Sequence, residues 1–151
     1  MMIDKARTTR ILAITGTVLV GLPLAFMLIT SAVVSIMSGI FRMDYFIPAE
    51  LFLLVALGAV LLFWAALRSR LYLKPLIWII CVGLAALIGS QGIAMATGLA
   101  SGEREAAGFW FVFVIIIYAL YVVGVIILFI LGVRLSRALM KAKTSTEIPA
   151  I

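Results

Sequence analysis

Residues 106–133 read AAGFWFVFVIIIYALYVVGVIILFILGV and contain no charged side chain. A bilayer hydrocarbon layer about 30 Å thick requires roughly 20 apolar residues of helix to cross it. A charge in the middle of that layer costs about 3 kcal/mol or more, so charged residues are rare in such helices. This uninterrupted run therefore predicts a transmembrane helix.

Three further uncharged runs precede it, at residues 11–41, 51–67 and 75–102. The first stays uncharged for far longer than the 7 to 15 residues of a secretory signal. Proline, glycine and the flanking charges narrow the four runs to predicted helices at about 11–36, 48–67, 75–99 and 109–133. The expected fold is an all-α membrane protein, an antiparallel up-down bundle of four transmembrane helices. Residues 1–151 form a single domain in this interpretation, with 1–10 and 134–151 as cytoplasmic ends.

The composition excludes an ordinary soluble domain. Apolar residues make up 66% of the chain and charged residues only 12%, with a mean hydropathy of +1.34. About a quarter of the residues are charged in typical soluble proteins. The net charge of +6 comes from residues outside the apolar runs. We therefore expect a lipid bilayer as a partner and no nucleic acid.

The distribution of charges predicts the orientation. Segments 1–10, 68–74 and 134–151 hold ten Lys or Arg against two acids, whereas the opposite side holds two arginines against four acids. Basic residues concentrate in cytoplasmic loops, so both termini are predicted to be cytoplasmic. The predicted location is a bacterial or archaeal plasma membrane.

The four acids of the opposite side have no spacing typical of a calcium site, so we expect a solvated acidic rim and no metal.

Small residues recur at helical spacing in two of the predicted helices. Such ridges let helix backbones approach closely in a membrane, and we expect them to carry helix packing. The first helix contributes Ala13, Thr17, Gly21 and Ala25, and the third contributes Ala86, Ser90, Ala94 and Gly98.

Gln91 is the one side chain with a full amide inside the predicted spans. It needs a hydrogen-bond partner there, which a neighbouring helix, a backbone carbonyl or water would supply. Tyr118 and Tyr121 share a face of the fourth helix and either bond to Gln91 or reach toward the interface. An interhelical hydrogen bond is the simpler interpretation. The sharper one is a polar site or solute path formed by Gln91, Ser90, Thr17, Tyr118 and Tyr121.

Several residue types that haem, redox and ion-coupled sites require are missing from the places where those sites would need them. The chain has no histidine and one cysteine, Cys81, which excludes a bis-histidine haem and a Cys-x-x-Cys redox pair. No predicted span carries a charge, which argues against an antiporter that uses a carboxylate within the membrane. We therefore predict that the chain is not an enzyme, has no catalytic residues and binds no cofactor.

These observations favour a small accessory or structural membrane subunit that packs with itself or with another membrane protein. The alternative is a small homo-oligomeric channel or carrier lined by Gln91 and serine and threonine residues. A third hypothesis, a lipid-modifying enzyme, would depend on Glu50, Glu103 and Glu105 at the outer interface.

Overall fold

The computed structural model describes residues 2–38, 52–99 and 108–144, and its regular structure there is entirely helical. Four helices follow one another along the chain: α1 Met2–Ser38, α2 Phe52–Ser69, α3 Leu73–Ala96 and α4 Phe109–Thr144. Each is long and apolar enough to cross a membrane. The all-helical prediction with four candidate spans is therefore confirmed.

Two helices continue beyond the predicted spans. α1 begins at Met2 and α4 runs to Thr144, through the basic segments that flank the apolar runs. Past the last apolar run, Leu135 is fully buried and Ser136 is 7% exposed, so buried positions continue at helical spacing there. Charges mark the edge of an apolar layer, and they do not by themselves end a helix.

The other boundaries shift for local reasons. α3 ends at Ala96, and Gly98 adopts a φ of 72°, a left-handed conformation that commonly ends helices. The Thr97 amide donates to the Ile93 carbonyl at 2.9 Å, and the Gly98 amide donates to the Met95 carbonyl at 3.2 Å. The predicted start of the second helix at residue 48 lies outside the described residues.

The chain divides into two compact units. The first comprises Met1–Leu73 and Leu128–Ile151, and the second comprises Lys74–Ile127. In the four candidate spans only 17% to 28% of the residues are buried inside the chain. Most of the apolar surface of these helices is therefore left for something outside the chain to cover.

In the first unit, α1 and α2 approach each other at two glycines. A β-carbon added to Gly16 would lie 2.9 Å from the Gly58 carbonyl oxygen and 3.0 Å from Cγ of Leu62. A β-carbon on Gly58 would lie 2.6 Å from Cγ2 of Val20. Position 16 thus meets 58 and 62, whereas position 20 meets 58, so these two helices run in opposite directions at this contact.

The part of α4 in the first unit completes the junction. A β-carbon on Gly132 would lie 2.7 Å from Oγ1 of Thr17 and 3.2 Å from Cδ1 of Leu62. Farther along α1, a β-carbon added to Gly21 would lie 2.6 Å from Cε2 of Phe129. Thr17 meets Gly132, and Gly21, farther along α1, meets Phe129, which comes earlier in α4. This segment of α4 therefore runs antiparallel to α1. We call the meeting point of Gly16, Leu62 and Gly132 the glycine junction.

In the second unit, α3 lies close to the adjoining part of α4. A β-carbon on Gly124 would lie 3.9 Å from Cα of Gly83, an ordinary van der Waals distance. Ala86 and Ser90 on α3 and Tyr121 on α4 are buried. The contact between the two backbones is looser here than at the glycine junction.

We predict that Gly58→Ala destabilises the protein by about 1 to 3 kcal/mol, because the added methyl group would press against two backbone atoms of α1, which cannot move aside as a flexible side chain can. The β-carbon would lie 2.9 Å from the Gly16 carbonyl oxygen and 3.0 Å from the Val20 nitrogen. Thermal unfolding in mild detergent, followed by tryptophan fluorescence, measures the change.

The matched control is Gly83→Ala in α3, where an added β-carbon meets nothing within 4 Å. This variant is expected to unfold at the temperature of the unmodified protein. If both variants unfolded at the same temperature, the close approach of α1 and α2 at Gly58 would be contradicted.

Candidate functional site

The five polar residues singled out in the sequence lie in different units. Thr17 belongs to the first unit, whereas Ser90, Gln91, Tyr118 and Tyr121 belong to the second. Each group is therefore described by its own contacts.

Thr17 takes part in a buried hydrogen bond between helices. Its Oγ1 donates to the Ala13 carbonyl at 2.7 Å and lies 3.3 Å from Oγ of Ser136. Because a hydroxyl has one hydrogen, Ser136 donates to Thr17 in this arrangement. Both side chains are more than nine-tenths buried. Thr17 thus links α1 to α4 and presents no free hydroxyl hydrogen.

The two ridges of small residues are partly turned inward. On α1, Ala13 and Thr17 are buried, Gly21 is partly covered and Ala25 is exposed. Ala86 and Ser90 are buried on α3, and the remaining ridge members, Ala94 and Gly98, are half-buried. Their role in packing between helices stays a prediction at the positions without a described contact.

Of the four glycines with the closest helix contacts, the ridge pattern included Gly21 and did not include the other three. Gly16 lies beside the α1 ridge, displaced from it by one residue, and Gly132 lies on α4. Gly58 is the only glycine in α2, which is otherwise built from bulky residues and alanines. A lone glycine in an apolar helix was the available signal for this contact.

Several other hydroxyls in the apolar helices donate to their own helix. Ser90 Oγ donates to the Leu87 carbonyl at 2.9 Å, and Thr97 Oγ1 donates to the Ile93 carbonyl at 2.7 Å. Thr30 Oγ1 donates to the Phe26 carbonyl at 2.8 Å. Such bonds are common for serine and threonine in helices. They leave these hydroxyls little capacity to donate to a solute.

Gln91 differs, because it lies on the outward face of α3. The side chain is exposed and its amide makes no hydrogen bond to any residue that the structure describes. Six exposed residues of α3 share this face at alternating spacings of four and three, and we call them the α3 seam: Ile77, Cys81, Leu84, Ile88, Gln91 and Met95. The amide thus sits in an otherwise apolar stripe.

Tyr118 and Tyr121 lie together on α4, with ring centroids 6.0 Å apart. Tyr121 is 4% exposed, and its hydroxyl is buried without a hydrogen-bond partner among the described residues. Within residues 108–144 and the described part of α3, no hydrogen bond connects either tyrosine to Gln91. The five predicted site residues therefore do not form one described hydrogen-bonded cluster.

The side chains that commonly bind metal ions form no cluster among the described residues. Over residues 2–38, 52–99 and 108–144, no three His, Cys, Asp or Glu side chains lie close enough together to hold a metal ion. Cys81 is a free, exposed thiol. The carboxylates of the lipid-enzyme hypothesis, Glu50, Glu103 and Glu105, lie outside the described residues, as do Asp44, Arg42 and Arg104.

We predict that Tyr121→Phe is neutral or stabilising, by up to about 1 to 3 kcal/mol, because it removes a buried hydroxyl that has no described partner while keeping the ring. Tyr121→Ala is the control, because loss of the ring leaves a cavity and costs about 3 kcal/mol or more. Thermal unfolding in detergent measures both variants. A clear loss of stability in Tyr121→Phe would show that the hydroxyl has a partner.

Comparison with known proteins yields no match of any kind. No family model matches the chain, and no curated protein or solved structure is significantly similar to it.

Proposed function

We propose that this chain is a non-enzymatic integral membrane protein, an accessory or structural subunit that packs with itself or with a larger membrane complex. Its four helices would cross the bilayer as an antiparallel up-down bundle, with both termini in the cytoplasm. The position of Gln91 on the outward α3 seam is the observation that carries the proposal.

An outward-facing amide is unfavourable in lipid. Gln91 lies within the candidate span Leu73–Ala96, and hydrocarbon tails offer no donor or acceptor to it. Burying an amide without a hydrogen bond costs several kcal/mol, on the order of 2 to 7 depending on the reference state. A helix from another chain would satisfy this amide, which favours a protein contact along the α3 seam.

The arrangement of the seam also suits a helix partner. Side chains at alternating spacings of four and three line one side of a helix that pairs with another in a left-handed crossing. Gly92 and Ala85 lie beside the seam and are exposed, so they would let a second backbone approach. A second copy would place Gln91 opposite Gln91, and each amide provides both donor and acceptor.

Cys81 provides a direct test because it lies on the seam as the only cysteine of the chain. We predict that mild oxidation of membranes containing the protein cross-links pairs of chains through Cys81. Gln91→Leu should weaken self-association about tenfold, since two interhelical hydrogen bonds of about 0.7 kcal/mol each are lost. The measurements are the cross-linked fraction and the mass in mild detergent.

The matched control is Thr15→Leu, which replaces an exposed polar residue on α1, a helix that contributes no residue to the seam. It should leave cross-linking unchanged. A partner from a larger complex would copurify with the unmodified chain and be lost from Gln91→Leu. A lone monomer with no partner, unaffected by the Gln91 substitution, would contradict the proposal.

A small homo-oligomeric channel or carrier is the second candidate, because the same unpartnered amide would line a path between subunits. It has less support from the hydroxyls, since Ser90 and Thr97 donate to their own helix. We predict that solute flux into proteoliposomes, if this function holds, falls several-fold in Gln91→Leu and stays unchanged in Thr15→Leu. Flux that is unchanged in Gln91→Leu would remove Gln91 from the path.

A further inference from the structure

Positive charges concentrate at one end of the first unit. Six of them belong to the three helices that meet at the glycine junction, and we call these six the basic end: Arg7, Arg10, Arg68, Arg134, Arg137 and Lys141. All are exposed except Arg10, which is partly covered.

The register of the helices brings these residues to the same end. α1 runs antiparallel to α2 and to the adjoining part of α4 at the junction. Moving toward lower numbers on α1 is therefore the same direction as moving toward higher numbers on the other two helices. At about 1.5 Å per residue, Arg10, Arg68 and Arg137 each lie roughly 7 to 11 Å beyond the junction on that side.

Three of the cations lie on the last turns of α4. Leu135 and Ser136 are buried there, and the Ser136 hydroxyl contacts Thr17 of α1. Arg134, Arg137 and Lys141 are exposed in the same turns. Because α4 packs against α1 through its buried face, these cations lie on exposed positions outside that contact.

The basic end has few negative charges to pair with. None of its six side chains forms an ion pair with another side chain that the structure describes. By sequence, Asp4 is the one acidic residue in the first unit's described ranges, 2–38, 52–73 and 128–144. Two acids, Asp4 and Glu147, lie near these cations in the sequence, so the six charges of the basic end outnumber them and leave capacity to bind anions from outside the chain.

We infer that the basic end binds the head groups of anionic phospholipids. Guanidinium groups donate two parallel hydrogen bonds to phosphate oxygens, and clustered basic residues beside a membrane helix attract anionic lipids. The apolar stretches of the same helices begin directly beside the cations, where acyl chains would lie against exposed side chains such as Trp64. A phospholipid would contact the cations through its phosphate and the apolar side chains through its acyl chains, whereas inorganic phosphate would contact the cations alone.

This inference requires insertion in a bilayer but no partner at the α3 seam, so it can hold where the proposed protein contact fails. Trp64 serves as the reporter, because it is 57% exposed on α2 and lies one turn before Arg68. The full-length chain carrying Trp78→Phe and Trp110→Phe is reconstituted in vesicles. Its fluorescence is then quenched by brominated phosphatidylglycerol or by brominated phosphatidylcholine.

We expect phosphatidylglycerol to be preferred over phosphatidylcholine at least about fivefold. That ratio corresponds to about 1 kcal/mol, the attraction of a single basic residue to an anionic membrane surface. The triple variant Arg134→Gln, Arg137→Gln, Lys141→Gln removes half of the six cations and should lower the ratio at least about twofold. The charge-keeping control Arg134→Lys, Arg137→Lys should retain most of the preference. The ratio should also fall at high salt, because exposed charges are screened.

Three results would overturn the inference. The first is equal quenching by the two lipids with the unmodified basic end. The second is a preference that is unchanged in the triple glutamine variant. The third is a preference abolished by inorganic phosphate at constant ionic strength, which would assign the cations to free phosphate. Failure of Cys81 to cross-link would count against the seam alone and would leave the lipid preference intact.

Discussion

The close approach of helix backbones at the glycine junction is the constraint on which the rest of the first unit depends. In the proposed bilayer setting, bringing two apolar helices together gives little hydrophobic gain, so close packing supplies the attraction. Gly16, Gly58 and Gly132 provide it, because each lies where a β-carbon would come within 3.0 Å of a neighbour. The same contacts set the directions of three helices and so gather the cations at one end.

Hydrogen bonding is the second constraint, and side-chain length decides how it is met. Serine and threonine hydroxyls reach the carbonyl one turn back, as Ser90 does, and Thr17 accepts an interhelical bond as well. The amide of Gln91 has two donors and an acceptor and remains unpaired with the described residues. The buried hydroxyl of Tyr121 is likewise without a described partner, but it is enclosed by the chain. Of these polar groups, Gln91 is the one that the described structure leaves exposed to another molecule.

The two proposed surfaces use different chemistry and belong to different units. The α3 seam combines apolar side chains with one amide, which suits another helix in the hydrocarbon layer. The basic end combines cations from three helices with few acids, which suits phosphate groups at the layer's edge. In the proposed role of a structural subunit, the seam would join the chain to its partner and the basic end would hold its level in the bilayer.

The sequence by itself determined that four apolar helices form and which segments carry the charge, because both follow from residue types along the chain. It also nominated Thr17 and Ser90 as small residues for close packing, and both are buried. It did not predict that α4 continues to Thr144 or that Gly58 meets Gly16. The outward position of Gln91 was equally unpredictable. Helices that are apolar nearly all round carry no directional pattern, so which face meets a neighbour is decided only by how the side chains fit together in three dimensions.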